Sequence, residues 1–404
     1  MIKNVPLKEV KIGMCLAESV YTKSSELIYR ANFYFTAREQ IIRLLDSGIT
    51  AVKINLAQSL LSDTTSTRKD SSGTSLYEKV DNDYQIRIHE DPEKIYHEMT
   101  ERIEETKELF DLGDKVISDL MNSARFGQAL NHKSIRDQTT KIVKSIKENH
   151  LITLALLDLR KFDEYAFIHS INVAVLSVAF ANNIKFSEDK LQLIAQGSIL
   201  HDIGKAKVPI DILNKPGKLN SSELKIMQKH PVIGVQVVEE DHIDNEIIKE
   251  IIMHHHENYD GTGYPAKTGA SNMKRYASIV SIADCYDALT TQRVYKDTIH
   301  PAEAMKRIFT LSGTKFDPRV VNHFIKTVGI YPVGSIVELS DNRVAKVISF
   351  TPDNLLQPIV KTLFNKNNPK IPNQEIISLV NSDKYITGIC TDYIVGTYDM
   401  FKND

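Results

Sequence analysis

The sequence predicts a mainly α protein, in which a helical bundle lies between a small α+β N-terminal module and a short β-rich C-terminal tail. Three observations lead to this fold class. Helical periodicity continues from about residue 131 to 328, strand-like alternation occurs in the first 57 residues, and hairpin-like segments follow Tyr331–Pro332. A chain of 404 residues with 42% hydrophobic composition is long enough to bury more than one core.

The clearest domain boundary is the segment 61–75, LSDTTSTRKDSSGTS, which is poor in apolar residues and typical of a linker. From this boundary we divide the chain into five parts. They are a small N-terminal module with a regulatory role at 1–58, a Ser/Thr-rich linker at 59–90, a connecting helix at 91–130, the main helical domain at 131–330 and a β-rich extension at 331–404.

Within the N-terminal module, KEVKIGMCLAESVY alternates as a half-buried strand does, and AVKINL predicts another strand. Between them, TAREQIIRLLDSGI predicts a short helix that ends at Gly48. In the C-terminal extension, VGSIVELSDNRVAKVISF predicts a hairpin that turns at Ser340–Asn342.

The connecting helix is predicted to begin at Asp91–Pro92, a pair typical of an N-cap followed by proline at N1. Its apolar positions recur at spacings of three and four: Ile95, Met99, Ile103, Thr106 and Phe110. Because only about two heptads are regular, we interpret it as a helix that packs on its own domain, not as a dimerising coiled coil. Helical periodicity then continues over 133–149, 169–184, 188–204, 221–240, 245–257, 276–290 and 301–313.

Composition excludes several classes of protein. A net charge of −2 argues against a nucleic-acid polymer as partner. The three cysteines, Cys15, Cys285 and Cys390, form no disulfide framework and fit a reducing compartment. The N-terminus lacks a signal peptide pattern, and no run of about 18 apolar residues predicts a membrane span. We therefore expect a cytoplasmic protein.

Histidines and aspartates from five separate stretches form the candidate chemical site: His169, His201, Asp202, His230, His255, His256 and Asp284. Imidazole and carboxylate ligands together suit iron, manganese or zinc better than magnesium or calcium. Seven ligands are too many for one tetrahedral metal. Two metals that share a bridging carboxylate would use them all, with Asp202 as the natural bridge.

Each stretch that carries a candidate ligand also has a purely structural interpretation. A lone histidine on a helix, such as His169 or His230, more often has ordinary hydrogen-bond partners in the protein or in solvent than a metal to bind. His255–His256 fits a solvated helix end, and HDIGK fits a helix C-terminus with Gly204 as its cap. These interpretations explain the pieces separately but not the set. Four further histidines are left as background: His242, His254, His300 and His323.

HDIGK, HHENYDGTGYP and ADCYDALTTQRVYK resemble the HD-GYP family of phosphodiesterases, a branch of the HD hydrolase superfamily. The resemblance spans about residues 135 to 328. The first 57 residues resemble the domain of unknown function that precedes this catalytic domain in many bacterial proteins, through the stretch GMCLAES and its position.

The resemblance implies a helical bundle with a centre of two or three metals, usually iron or manganese, that hydrolyses cyclic di-GMP to the linear dinucleotide and often to GMP. It implies that the seven side chains above are ligands and that Asp202 bridges. It further implies that Lys205 contacts or protonates the scissile phosphate, and that Tyr264 and Arg293 hold substrate phosphate or base. Tyr165 stands where members with a third metal carry a glutamate, with Glu164 beside it, so two metals are favoured. Val294 stands where a proline is common.

The residue types fit this chemistry, and each also has a structural alternative. Gly261 and Gly263 are predicted to adopt backbone angles closed to other residues. Tyr264 offers an aromatic face on which a guanine could stack, an interaction typically worth about 1–3 kcal/mol. The structural alternative is that its ring packs to hold the turn. The structural alternative for Lys205 is a favourable interaction of its charge with the C-terminal end of a helix dipole, which is worth about 0.3–1 kcal/mol. The planar guanidinium group of Arg293 suits binding of phosphate or of the edge of guanine. The structural alternative is an ion pair at a helix end.

Other functions remain open from the sequence. Hydrolysis of cyclic GMP–AMP is the nearest alternative, because the residues do not reveal which base is preferred. A slow enzyme that acts mainly as a cyclic-dinucleotide-binding scaffold is a second alternative, and an HD phosphohydrolase acting on nucleotides such as ppGpp is a third. A regulatory protein partner and a homodimer are both compatible with the N-terminal module.

Overall fold

The computed structural model describes residues 2–10, 16–21, 27–29, 41, 44–45, 47–55, 92–159, 168–291, 299–351, 354–372 and 375–390. The chain forms two compact units, Met1–Leu76 and Tyr77–Asp404. The predicted linker at 59–90 lies outside the described residues, as does most of the predicted helix that ends at Gly48. In the described part of the chain, no helix combines the length and apolar character needed to cross a bilayer.

The first unit is a small α+β module, as predicted. Strand β1 (Ile2–Pro6) pairs antiparallel with β4 (Ala51–Asn55), and the short strands β2 (Val20–Tyr21) and β3 (Leu27–Tyr29) pair with each other. Residues 41, 44 and 45 are helical, and Gly48 follows them with a φ of 74°. The core of this unit is aliphatic and includes the fully buried side chains of Leu16, Leu44 and Ile54.

The second unit begins with two long helices, α1 (Pro92–Phe126) and α2 (His132–Leu159). Helix α1 begins at the predicted proline. Phe110 is buried, and the Gln138 side-chain amide of α2 donates to the Leu109 carbonyl at 2.8 Å. Helix α2 extends beyond the predicted segment but is kinked at Asn149, whose φ and ψ of −160° and 94° are not helical.

Shorter helices complete the bundle: α3 (Ile168–Asn183), α4 (Glu188–Leu200), α5 (Ile210–Leu213), α6 (Ser221–Met227), α7 (His230–Glu240), α8 (Glu246–His254), α9 (Arg275–Thr290), α10 (Pro301–Thr310) and α11 (Pro318–Val328). Most of them follow the predicted periodic segments, but α5 and α11 were not predicted, and the segment 221–240 is divided into α6 and α7. Side-chain caps define several starts. Asn220 forms a capping box with Glu223 at α6, and Asn245 accepts from two main-chain N–H groups at α8.

Helix α3 lies at the centre of the bundle because it is apolar on all sides, and a helix of that kind must be buried. It packs against α2, α4 and α9. Phe180 of α3 meets Phe324 of α11 edge-on, with ring centroids 5.9 Å apart, and Tyr286 of α9 lies against the same Phe324 ring at 5.7 Å. This aromatic cluster fixes α3 relative to α9, the two helices that carry His169 and Asp284.

The C-terminal tail is an antiparallel sheet, which confirms the β-rich extension. Its strands are β5 (Ile336–Leu339), β6 (Arg343–Ser349), β7 (Ile359–Asn365), β8 (Asn368–Pro372), β9 (Ile376–Ser378) and β10 (Ile386–Ile389), in the order β10-β5-β6-β7-β8, with β9 also paired to β7. The β5–β6 hairpin turns at the predicted residues, and Asn342 takes a φ of 64° there. Lys361 of β7 donates to the Tyr96 hydroxyl of α1 at 2.7 Å.

Phe324→Ala should destabilise the second unit by about 3–5 kcal/mol, since it empties a fully buried site between α3 and α9. Phe126→Ala is the matched control because that ring is 72% exposed, and it should change stability by no more than about 0.5 kcal/mol. Urea unfolding followed by circular dichroism measures both. Equal midpoints for the two variants would contradict this description of the core.

Candidate metal centre

The fold brings all seven predicted ligand side chains together. They form two groups in which the ligand atoms lie within 4.8 Å of one another. We name the group of His169, His201 and Asp284 site A, and the group of Asp202, His230, His255 and His256 site B. The side chains come from the start of α3, the segment after α4, the start of α7, the end of α8 and the middle of α9.

Asp202 lies between the two groups. Its Oδ2 is 3.3 Å from His201 Nε2 and 4.0 Å from His169 Nε2, both of site A. Its Oδ1 is 3.3 Å from His230 Nε2 and 3.8 Å from His255 Nε2, both of site B. One carboxylate oxygen therefore faces each site, which is the arrangement that a bridging ligand requires.

Main-chain carbonyls orient three of the imidazoles. The Nδ1 atoms of His201, His230 and His255 lie 2.7, 2.8 and 2.9 Å from carbonyl oxygens three residues earlier in the chain. The acceptors are Ser198, Met227 and Ile252. Because a carbonyl can only accept, Nδ1 carries the proton in each ring, and the Nε2 lone pair is directed towards the centre.

A carboxylate orients His169 instead. Its Nδ1 lies 2.6 Å from Asp287 Oδ2, and Asp287 is buried with 3% of its surface exposed. The other oxygen of Asp287 accepts from Asn172 Nδ2 and from Thr291 Oγ1, both at 2.7 Å. Sequence reasoning missed Asp287. The stretch DCYD could have revealed it, because Asp287 lies three residues after the candidate Asp284, and residues three apart on a helix share a face.

Burial keeps the site B imidazoles neutral. It lowers the pKa of His230 to about 4 and that of His256 to about 3, and it holds the pKa of His255 well below its usual value. Only a neutral imidazole has a lone pair to give to a metal. These rings are therefore in the ligand form at neutral pH without losing a proton.

The carboxylates and His169 respond to one another. Burial raises the pKa of Asp202, but His201 and Lys205 oppose it and hold that pKa well below its usual range. Burial also raises the pKa of Asp284, but the hydrogen bond and charge of His169 outweigh burial and hold that pKa well below its usual range. Burial lowers the pKa of His169, yet hydrogen bonds to Asp284 and Asp287 raise it to about 9. A cation at site A would displace the proton on His169 Nε2.

The residues fit divalent cations. His201 Nε2 and Asp202 Oδ1 are buried and have no hydrogen-bond partner among the residues that the structure describes. Buried polar atoms without partners are rare, and a missing ion is one of their ordinary explanations. The five imidazoles of sites A and B, together with carboxylate oxygens, are the donors preferred by iron, manganese and zinc. The interpretation of His255 as part of a solvated helix end is wrong, because it is fully buried.

The HDIGK segment turns sharply to reach this position. Helix α4 ends at Leu200, and a 3-10 turn covers Ile203–Lys207. A Cβ on Gly204 would lie 2.6 Å from Gly234 N and closer still to the His230 carbonyl oxygen. Gly204 is therefore required by close packing of the turn on α7, and the interpretation of this glycine as the cap of α4 is wrong.

The GTGYP turn is fastened to the residue that follows His256. Glu257 is 1% exposed, and its carboxylate accepts from the main-chain N–H groups of Ala266, Lys267 and Thr268 at 2.6, 3.0 and 2.9 Å. These bonds bring the exit of the turn back to the end of α8, beside the last two histidines of the site.

The two glycines of this turn serve different purposes. Gly261 takes a φ of 79°, as predicted. Gly263 does not adopt a left-handed angle, so that prediction is wrong for it. A Cβ there would lie 2.5 Å from the His256 carbonyl oxygen and 2.6 Å from Glu257 Cα, so close packing excludes a side chain.

Tyr264 packs directly on the site. Its ring stacks on the His256 imidazole with centroids 4.7 Å apart and planes 29° apart, and its N–H donates to the His256 carbonyl at 3.2 Å. The side chain is half-buried. Burial raises the pKa of the phenol, and the charges of Asp202 and Asp284 act in the same direction, so the hydroxyl keeps its proton.

Lys205 lies at the edge of the centre, with Nζ 2.5 Å from Asp202 Oδ2 and 28% of its side chain exposed. Arg293 lies outside the described residues, as do Glu164 and Tyr165, so their predicted roles stay predictions.

Comparison with known proteins places these features in a family. The HD domain family matches residues 145–320, and a domain of unknown function, DUF3391, matches residues 2–135. The chain is 29% identical to a cyclic di-GMP phosphodiesterase of Pseudomonas aeruginosa over 98% of this chain and 92% of that protein. It is also 29% identical to a cyclic di-GMP phosphodiesterase of Borreliella burgdorferi, over 59% of this chain and 62% of that protein. A 3′3′-cGAMP-specific phosphodiesterase of Vibrio cholerae is 35% identical over 38% of this chain and 30% of its own length.

A helical bundle that gathers a histidine–aspartate doublet with further histidines around one buried carboxylate defines a hydrolase of the HD superfamily. By these matches, the chain carries an HD domain that follows a DUF3391 domain.

Gly204→Ala should destabilise the second unit by about 1–3 kcal/mol and lower its metal content, because the added methyl forces the HDIGK turn away from His230. Gly388→Ala is the matched control, since a Cβ at that position meets open space. Thermal unfolding and metal analysis by mass spectrometry measure the two effects. Retention of wild-type stability and metal content in Gly204→Ala would contradict the packing described for the turn.

Proposed function

We propose that this protein is a metal-dependent phosphodiesterase that hydrolyses cyclic di-GMP to linear pGpG and onwards to GMP. The observation that carries the proposal is the arrangement of seven ligand side chains as two sites that share Asp202, with Lys205 beside them. The printed activities of the relatives from Pseudomonas aeruginosa and Borreliella burgdorferi support the choice of substrate. The ligand side chains form two groups, which favours two cations over three. Iron or manganese fits their imidazole and carboxylate donors.

The metals supply charge and acidity. Divalent cations held by the residues of sites A and B would neutralise the charge of a phosphodiester and acidify water, so that hydroxide would be available at neutral pH. The chain prepares their ligands in advance. Burial keeps His230 and His256 neutral, and the pKa of Asp202 is held well below its usual range by His201 and Lys205. Site B therefore offers its donors at neutral pH in the protonation state that a cation needs.

We assign the protein's own cation, Lys205, to the leaving oxygen. Its Nζ is held 2.5 Å from Asp202 Oδ2 while 28% of the side chain faces solvent. A phosphate that approaches Asp202 from the solvent side meets this ammonium group. Lys205 would hold a non-bridging oxygen or give a proton to the 3′-oxygen as the P–O bond breaks.

We assign base recognition to Tyr264, with Arg293 as a second contact. The Tyr264 ring is stacked on His256, and the half-buried side chain keeps part of its surface exposed at the edge of the centre. An aromatic face of this kind binds any base by stacking. The guanidinium fork of Arg293 suits phosphate or the edge of guanine.

Cyclic GMP–AMP is the second candidate substrate. The Vibrio cholerae relative named as 3′3′-cGAMP-specific supports it, and stacking on Tyr264 does not distinguish adenine from guanine. A third candidate is a slow enzyme that acts mainly as a cyclic-dinucleotide-binding scaffold. The complete set of ligand side chains in the described residues argues against it. We further infer a cytoplasmic location and a regulatory partner for the N-terminal unit, and a homodimer is compatible with both.

Asp202→Ala should lose both metals and lower turnover by more than about 100-fold, because it removes a ligand that the two sites share. Loss of a residue that only hydrogen-bonds to a ligand typically lowers metal affinity or activity by about 10- to 100-fold, so loss of a shared ligand should cost more. The test is an anaerobic assay of the full chain with cyclic di-GMP and with cyclic GMP–AMP, together with metal analysis. Asp189→Ala, at an exposed position of α4, is the control and should retain both properties.

The outcomes separate the candidates. Turnover that survives in Asp202→Ala rules out the two-metal mechanism. Wild-type turnover of cyclic GMP–AMP alone replaces the primary substrate with the second candidate. Tight binding of either nucleotide by the metal-loaded wild type with no linear product identifies the scaffold.

Tyr264→Ala should weaken substrate binding by about 5- to 150-fold, the equivalent of 1–3 kcal/mol of stacking, with metal content unchanged. Tyr264→Phe retains the aromatic face and should bind substrate within a few-fold of the wild type. Equilibrium binding of a non-hydrolysable cyclic di-GMP analogue measures both. Loss of metal in Tyr264→Ala would show that the ring serves to hold His256 and not to bind substrate.

A further inference from the structure

The two candidate metal sites differ in how their histidines are held. Three ligand imidazoles, His201, His230 and His255, donate from Nδ1 to main-chain carbonyls. His169 of site A is oriented by a side chain, since its Nδ1 is 2.6 Å from Asp287 Oδ2. A carboxylate partner fixes the tautomer of a ligand histidine and makes its other nitrogen a stronger donor than a carbonyl partner does.

Asp287 is itself fully engaged. Its side chain is buried, and it accepts from Asn172 on Oδ1 as well as from Thr291 on the same oxygen, so three donors converge on one carboxylate. Asn172 lies on α3 one turn after His169, and Thr291 follows the end of α9. The network joins the two helices that carry His169 and Asp284.

We propose that Asp287 is a positioning residue that sets the metal affinity of site A independently of site B. The inference rests on the proposed metal-dependent function, but it concerns metal binding and not substrate. The donors of site B come from α7, from the end of α8 and from Asp202, and in the described residues no hydrogen bond or ion pair joins Asp287 to any of them.

Replacement of Asp287 by asparagine has two structural outcomes, and both weaken site A. If the new amide nitrogen faces His169, the imidazole must accept on Nδ1 and carry its proton on Nε2, which removes the lone pair from the metal. If the amide oxygen faces His169 instead, the tautomer is kept but the negative charge that strengthens the donor is lost. Loss of such an outer partner typically weakens metal binding by about 10- to 100-fold.

The experiment is a titration of metal-free full-length protein with Mn²⁺, in which electron paramagnetic resonance measures the free ion. Wild type should bind two ions tightly. Asp287→Asn should bind one ion with wild-type affinity and the second about 10- to 100-fold more weakly. Asp189→Asn, the same substitution at an exposed position, should bind two ions as the wild type does.

A second variant assigns the affected site. His230→Ala removes a ligand of site B and should also leave one tight site. The double variant His230→Ala/Asp287→Asn should then have no tight site, because the two substitutions act on different ions. A double variant that keeps one tight site overturns the proposal, as does Asp287→Asn with two sites of wild-type affinity or with both sites weakened equally.

A measurement on the unaltered chain guards against misfolding of the variants. In protein labelled with ¹⁵N-histidine and loaded with diamagnetic Zn²⁺, the Nδ1 proton of His169 should resonate further downfield than those of the other ligand histidines, because its acceptor is a carboxylate. The peak missing from His169→Gln identifies it. A His169 Nδ1 proton at the position of the carbonyl-bonded rings overturns the proposal. None of these readouts uses a nucleotide, so failure of the proposed substrate would leave them unchanged.

Discussion

The buried carboxylate of Asp202 is the constraint on which the rest of this structure depends. A single ionised group with 12% of its side chain exposed is surrounded by imidazoles of both sites and by Lys205. Burial of a charge in this way is costly unless cations or hydrogen-bond donors compensate it. Lys205 compensates one oxygen, and Oδ1 has no hydrogen-bond partner among the described residues. Cations held by the two candidate sites would compensate the rest of this charge.

Packing supports this carboxylate at a distance. Gly204 lets the HDIGK turn approach α7 closely, so Asp202 and His230 are brought together by backbone contact and not by flexible side chains. Helix α3 is held in the core by its apolar surface and by the contact of Phe180 with Phe324. The hydrogen-bond acceptors that orient the imidazoles are mostly main-chain carbonyls of the chain itself. The precision of the site is therefore a property of the bundle.

Tyr264 joins the GTGYP turn to site B. Its ring stacks on His256, and Glu257 fastens the turn that carries it. The sequence left substrate contact and structural packing as alternatives, and the structure shows packing on a proposed metal ligand. The two roles are compatible, because an aromatic ring has two faces. A substrate that stacks on Tyr264 would then be positioned relative to His256 by one rigid contact.

The sequence by itself determined the mainly α fold, the hairpin at Ser340–Asn342 and the identity of the seven side chains that meet in the centre. Periodicity and turn residues are local properties, and a set of histidines and aspartates confined to a few motifs is readable without coordinates. The tertiary structure alone decided which residues share a site, that each oxygen of Asp202 faces a different site, and that Asp287 orients His169. It also decided that Gly263 and Gly204 are required for space. These relations join residues that are up to 118 positions apart, and only the packing of whole helices brings such residues within hydrogen-bond distance.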